Sequence, residues 1–414
     1  MDQPCHTRAL SPPPFLARCA LSAIFFLNGA VLASWVPHIP AVKARHALGD
    51  GQLGLVLLSM AVGSVLALPL AGRLIGRFGS RRMTAVAALG FCLALPLPVV
   101  SPTVGLLVLS LMLLGMGNGL LDVSMNAQAV EVERRYRRAL MSSFHGLFSL
   151  GGLVGAGGAG LAMSCGVGDV QHVTFITCLS VSVVGFVLRW LTPSPPRQGS
   201  RGPTFVKPTG VLLGLGVLAF CGLLTEGAMA DWSAVYLHEV LGADSATAAA
   251  GFAACSLLMA VGRFGGDSLT DRFGPRRLLR ASGTLAAVGL GGGLLVGEPR
   301  TAILGFGLVG LGIANIIPVL FSSAGRIPGV RAGTALAAVA TTGYCGFLAG
   351  PPLIGLAAEV TSLPIALGVV GVCCALIAVS AGVVFRPLRV PDEAAGTSAR
   401  TGGRGYSGVA EKQW

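Results

Sequence analysis

LIGRFGSRR at Leu74–Arg82 returns as LTDRFGPRR at Leu269–Arg277, an offset of 195 residues. The same offset carries Gly151, Gly155 and Gly160 onto Gly346, Gly350 and Gly355, and Gly115 and Gly117 onto Gly310 and Gly312. One constant spacing at three separate places marks two copies of one unit laid end to end. Six apolar runs of membrane length separate the two RFG loops, so both are expected on the same side of a bilayer.

The chain has 414 residues, 53% hydrophobic and only 11% charged, against roughly 25% charged in soluble domains. Runs of about 20 apolar residues cross the hydrocarbon core as helices. The expected spans are 15–37, 51–72, 83–100, 104–127, 141–164, 172–192, 209–237, 246–266, 278–297, 301–322, 332–358 and 363–385. The runs are continuous rather than alternating, which excludes a closed barrel. The expected fold is therefore all-α and integral to the membrane, with twelve helices in two parallel six-helix halves. Such parallel repeats build secondary transporters, with the site at the midplane between halves.

The formal net charge of +12 would suit a nucleic-acid partner, but its placement argues otherwise. With the N-terminus inside, 26 of the 29 Lys and Arg fall on the cytoplasmic side, and only Lys43, Arg45 and Arg300 fall outside. That asymmetry is the positive-inside rule and predicts both termini in the cytoplasm. The basic charge then meets anionic headgroups, and no nucleic acid is expected. Arg outnumbers Lys 26 to 3, with heavy use of Ala and Gly, a codon signature of a high-GC bacterium; the expected location is its cytoplasmic membrane.

The first run follows Arg8 and Arg18, yet it is too long for a signal-peptide core and is read as a span. The ten cysteines are scattered, without CxxC or a His-Cys spacing, and read as small core residues. The Pro/Gly/Arg-rich stretch 193–208 separates the halves 15–192 and 209–385 as a linker. Residues 1–14 form an N-terminal tail, and 386–414 are too polar to bury, so disorder is expected there.

The loop GRLIGRFGSRR (Gly72–Arg82) resembles the signature of the major facilitator superfamily, G-x-L-x-D-R-x-G-R-R. Gly72, Leu74, Arg77, Gly79, Arg81 and Arg82 match, and Gly76 stands at the acidic position. The second copy keeps the acid as Asp271, with Arg272, Gly274, Arg276 and Arg277, while Asp267 replaces the opening glycine. In that family the loop latches the halves by charge contacts on the cytoplasmic face. FFLNG (Phe25–Gly29), LLDVSMNA (Leu120–Ala127) and TEGAMADWSAVYL (Thr225–Leu237) resemble the fucose-permease-like branch and its uncharacterised bacterial relatives. By this resemblance Asp122 takes the place of a proton-exchanging carboxylate. The acid those permeases carry in the first span has no counterpart here. The exporter signature of the family's fifth span needs a Gly-Pro pair, and GGLVGAGGAG (Gly151–Gly160) has none.

Ionisable groups at bilayer depth cost several kcal/mol, so each is a functional candidate. Asn118, Asp122 and Asn126 stand four residues apart and share one helix face. Glu226 lies near the centre of the seventh span. His145, just inside the fifth, can pass protons near neutral pH. Asp122, Glu226 and His145 are thus the candidates for proton coupling. Arg263 and Asp267, four apart, suit an intrahelical ion pair. Asn28, Asn118, Asn126, Asn315, Trp35 and Trp232 are candidates to line the substrate cavity; the tryptophans also suit the interfacial belt.

No phosphate-cradling GxxxxGK[ST], HExxH, metal cluster or Ser-His-Asp set occurs. Neither an enzyme nor a cofactor is expected, and ATP is excluded as energy source. The expectation is a monomeric, proton-coupled carrier of a small polar solute that works by alternating access. Import is favoured over the alternative, proton-coupled efflux of a drug-like metabolite.

Overall fold

A computed structural model describes residues 13–136, 140–193, 210–324, 327 and 332–385. The expected tails and linker lie outside this set, save for residues 13, 14 and 193. The side chain of Asp267 is also outside it. Among the described residues the chain is helical, and eleven helical segments are long and apolar enough to cross a membrane.

The first repeat runs α1 (Pro14–Trp35), a 3₁₀ turn at Val36–His38, α2 (Ile39–Arg45), α3 (Asp50–Phe78), α4 (Ser80–Ala94), α5 (Pro96–Val100), α6 (Val104–Tyr136), α7 (Met141–Ser164) and α8 (Asp169–Val187). The second runs α9 (Val211–Val235), a π turn at Tyr236–Val240, α10 (Ser245–Val296), α11 (Pro299–Ile313), α12 (Ile316–Ala324), α13 (Ala332–Val360) and α14 (Leu363–Val384).

The RFG loops prove shorter than the apolar pattern suggested. Helix runs up to Phe78 and restarts at Ser80, with Gly79 alone between them at φ 81°, ψ 153°. Its repeat partner Gly274 breaks α10 at φ 73°, ψ 158°. A Cβ is sterically excluded from this backbone region, so only glycine makes the one-residue turn. Hydropathy marks where a helix leaves the bilayer, whereas backbone geometry marks where it ends. The tenth expected span is also interrupted, between Ile313 and Ile316. Pro318 explains the break, because its ring has no N–H and collides with the carbonyl four residues earlier.

Glycines set the helix spacing identically in both repeats. A Cβ on Gly115 would lie 1.9 Å from the carbonyl oxygen of Met60, and one on Gly310 would lie 2.0 Å from that of Cys255. Met60 and Cys255 are themselves one repeat offset apart. Without a hydrophobic force between helices in lipid, such close backbone approach supplies the packing energy.

The repeats meet where α7 crosses α10 and where α3 crosses α13. At the second crossing a Cβ on Gly355 would lie 2.9 Å from the Cα of Gly54. Both crossings are tight near the face opposite the RFG loops, where a Cβ on Gly160 would meet that of Ala249 at 2.9 Å.

Candidate functional site

Helix α6 places Asp122 between Asn126 and Asn118, one turn away on either side. Asn126 Nδ2 donates to the Asp122 Oδ1 at 3.0 Å and to its backbone carbonyl at 2.8 Å. The other carboxyl oxygen, Oδ2, receives the hydroxyl of Tyr344 at 3.2 Å. Tyr344 stands on α13, so this bond joins the two repeats. The side-chain oxygen of Asn118 is buried and has no hydrogen-bond partner among the described residues.

Glu226 on α9 meets Arg263 on α10, with Oε1 3.3 Å from the guanidinium Nη2. Arg263 also donates to Ser149 Oγ at 2.8 Å and from Nε to the Ala314 carbonyl at 3.5 Å. Ser149 belongs to α7, so a second bond crosses between repeats. The expected partner Asp267 has its side chain outside the described residues; the ion pair that Arg263 makes within them is with Glu226.

His145 lies one turn before Ser149, its ring edge-on to Phe25 with centroids 5.5 Å apart. It is within electrostatic reach of Arg263, and Asp122 is within reach of Glu226. The three proton-coupling candidates therefore stand near one polar network. A cavity of about 20 Å³ beside Glu226 is lined by Ser149, Gly152 and Ser256, roughly the room one water needs.

The remaining candidates are more dispersed. Asn28 Nδ2 points at the Met125 sulfur, 3.7 Å away, within the first repeat. Asn315 sits in the α11–α12 break, where its amide donates to the Gly262 carbonyl at 2.9 Å. Trp35 and Trp232 are buried, and their indole N–H groups have no partner among the described residues.

On the RFG face, Arg77 covers the ring of Phe78 and its repeat partner Arg272 covers Phe273. Arg81 donates to the carbonyls of Leu188 and Arg189 in its own repeat. Gly72 has open space where a side chain would stand.

The opposite face carries polar contacts that pattern reading missed. Lys43 donates to Asp50 Oδ1 at 2.5 Å and, across the repeats, to Glu239. Glu359 at the end of α13 accepts from the Gly51 amide at 2.9 Å, which serves an otherwise unsatisfied donor at the start of α3. Tyr344 and Ser149 were missed as well, since a lone hydroxyl in an apolar span carries no charge signal. The repeat held a clue, because these two residues are 195 apart.

Among the described residues the fold is all-helical, with the Glu226–Arg263 pair and two side-chain bonds, Tyr344–Asp122 and Arg263–Ser149, linking the repeats. The family model for the Major Facilitator Superfamily matches residues 19–326 and 235–411, and the chain belongs to that superfamily. An uncharacterised MFS-type transporter of Yersinia pestis is 37% identical over 391 residues, covering 93% of this chain and 100% of the relative. Membrane protein MosC of Rhizobium meliloti is 37% identical over 377 residues, covering 88% and 91%.

Among solved structures, a variant of the nucleoside transporter NupG aligns with TM-score 0.72 at 12% identity, over 89% of this chain and 100% of that one. The D-xylose-proton symporter gives 0.68 at 15% identity, over 89% and 97%. A variant of the E. coli fucose:proton symporter FucP gives 0.61 at 17% identity, over 88% and 98%. At these identities the likeness speaks for the fold alone.

Proposed function

We propose that the chain is a twelve-span secondary transporter of the cytoplasmic membrane that carries a small polar solute by rocking one six-helix half against the other, coupled to protons. In this reading α13 is the span that completes the count of twelve. The RFG loops and both termini face the cytoplasm, as the placement of Lys and Arg argues. Sugars, polyols and nucleosides serve as the first panel of small polar solutes to screen.

One observation carries the proton coupling: the Asp122 carboxyl accepts Asn126 on one oxygen and the Tyr344 hydroxyl of the opposite repeat on the other. An ionised carboxylate is acceptor-only and suits two donors. A protonated one carries its own O–H and accepts more weakly on that oxygen, so the donor facing it is weakened or turns. The cross-repeat bond thus depends on whether Asp122 holds a proton. Among the described residues no cation bonds Asp122 directly; Arg263 is taken by Glu226, Ser149 and Ala314. Asp122 is the coupling group, Glu226 the paired charge that bounds the cavity, and His145 the path by which a proton approaches Arg263 and Glu226 from the cytoplasm.

The test is electrical and needs no prior substrate. Proteoliposomes on a solid-supported membrane are pulsed with a panel of sugars, polyols and nucleosides. A proton current with at least one solute is expected in the wild type. Asp122→Asn should lose current and pH-driven accumulation yet retain counterflow of the same solute, because asparagine mimics the protonated shape without cycling. Uphill accumulation surviving in Asp122→Asn would show that coupling lies elsewhere.

A further inference from the structure

Away from the central network, a chain of three ionisable side chains closes the end of the first span. His38, in the 3₁₀ turn that ends α1, has no exposed surface. Its Nδ1 is 3.0 Å from Asp169 Oδ1, and its Nε2 is 3.0 Å from His172 Nδ1. Both partners stand on the first turn of α8. His172 is itself 4% exposed, and its far nitrogen has no partner among the described residues. Asp169 is the wet end. It is 29% accessible and lines a cavity of about 320 Å³ between the repeats, together with Pro37, Pro40, Ala44, His238 and Ser245.

We propose that His38 is a second proton-binding site, on the face opposite the RFG loops, filled from this cavity by way of Asp169. The hydrogen-bond arithmetic carries the argument. An imidazolium donates from both ring nitrogens, and His38 faces one acceptor on each side: a carboxylate oxygen and a ring nitrogen. The charged ring has both donors satisfied and its charge offset by Asp169. A neutral His38 gives its single proton to Asp169 and leaves Nε2 as an acceptor, so His172 must hold its proton on Nδ1. One added proton enters without breaking a bond, provided His172 moves its own to Nε2. A second has no place, since two donors would then face each other across 3.0 Å.

Most charged groups around this chain are engaged elsewhere. Lys43 on α2 is engaged by Asp50 and Glu239, and His238 by the Ala243 carbonyl at 2.8 Å. Arg45 acts on Asp169 from nearby, and its guanidinium donates to the Val99 carbonyl. Asp231 and Glu239 are the acids on the α9 side. The packed stretches of α1 (19–35), α7 (151–164) and α10 (245–262) contain no Asp, Glu, Lys or Arg.

Binding a proton strengthens the tie between the first and sixth spans, because an ion pair with the Asp169 carboxylate replaces a bond in which only the acceptor is charged. Five residues on, the same segment presents Lys43 to Glu239 of the other repeat. A proton on His38 therefore steadies the segment that carries Lys43 to its contact across the repeats. That this face lies outside the cell rests on the proposed topology; proton binding at His38 does not, and is independent of Asp122.

Solid-state NMR of [¹⁵N]histidine-labelled protein in phosphatidylethanolamine/phosphatidylglycerol vesicles tests the site. At pH 6 the spectrum should show a histidine with both ring nitrogens protonated and hydrogen-bonded, which converts to neutral at pH 8. That signal should vanish in His38→Gln, be neutral at pH 6 in Asp169→Asn, and persist in Asp122→Asn. Nitrogen–carbon recoupling to the Asp169 carboxyl identifies the ring in wild type, should a variant fail to fold. In parallel, spin labels at Ala44→Cys and Val240→Cys in a cysteine-free background should show a narrower, shorter distance distribution at pH 6 than at pH 8. His38→Gln should abolish that response. A His38 that stays neutral from pH 8 to 5, or a pH response unchanged by His38→Gln, overturns the proposal. Loss of both signals in Asp122→Asn would assign them to the central site instead.

Discussion

The two repeats share a skeleton and differ in chemistry. Gly79 and Gly274 make the same one-residue turn, and Gly115 and Gly310 press on carbonyls one offset apart. The residues one offset from Asn118, Asp122 and Asn126 are Ile313, Ile317 and Phe321. Arg263 answers to Leu68. Ser149 and Tyr344 are the exception: equivalent positions, both polar, each bonded to a charged group of the opposite repeat. The helix starts diverge too. Asp244 caps α10 with its own side chain, while its counterpart Gly49 leaves the start of α3 to Glu359 of the other repeat. Duplication supplied a rigid frame, and function then broke its symmetry. A symmetric frame brings equivalent positions together, and unequal groups at those positions give the two repeats different chemistry.

The shared frame should be the hardest thing to break. Gly115→Val and Gly310→Val each force side-chain atoms into a backbone carbonyl, with overpacking costs of about 1–3 kcal/mol or more. Both should lose the monodisperse peak in size-exclusion chromatography or show a large fall in unfolding temperature. If one repeat tolerates the change, the equivalence is only apparent.

The unequal charges come next. Arg263→Ala leaves Glu226 as a half-buried, unpaired charge, a defect that costs up to about 3 kcal/mol, the low end for a broken buried pair. Thermal unfolding should show that loss, and the double variant Arg263→Ala/Glu226→Gln should recover most of it. If Glu226→Gln restores nothing, the pair is not the partnership that matters.

A gentler probe asks whether the two crossing hydroxyls are equal. Ser149→Ala and Tyr344→Phe each remove one bond to a charged group, worth about 1.5–3 kcal/mol. Tyr344→Phe should additionally flatten the pH dependence of transport, whereas Ser149→Ala should leave its shape unchanged. Identical pH profiles in the two variants would mean that Asp122 and Arg263 are not differentiated.

The smallest effect concerns the caps. Asp244→Ala should cost about 1 kcal/mol and leave transport rates unchanged. The amide and hydroxyl of Thr247 hold the Asp244 carboxyl below its ordinary range. Its contribution is therefore complete above the unfolded carboxyl value of about 3.9 and lost as pH falls through the lower folded value. Thermal melts at pH 7 and pH 3 should show the variant's deficit shrinking in acid.

Much of this protein was legible in one dimension. The repeat offset, the apolar runs and the charge asymmetry depend only on residue type and spacing, so the membrane fold followed directly, while the family came from the resemblance of the RFG loops to its signature. Asp122 and Glu226 stood out because a lone acid among apolar residues is costly wherever it packs. The Asp122–Asn126 contact was equally open, since four residues make one helical turn. Partners were not. That Tyr344 meets Asp122, that Arg263 turns to Glu226 and Ser149, and that Lys43 reaches Glu239 depends on how helices from two repeats cross. His38, Asp169 and His172 come together only where the end of α1 packs against the start of α8. Local sequence sets which face of a helix a group occupies; only tertiary packing decides which other face it meets. That meeting determines whether a hydroxyl, a histidine or an arginine joins two helices or senses a proton.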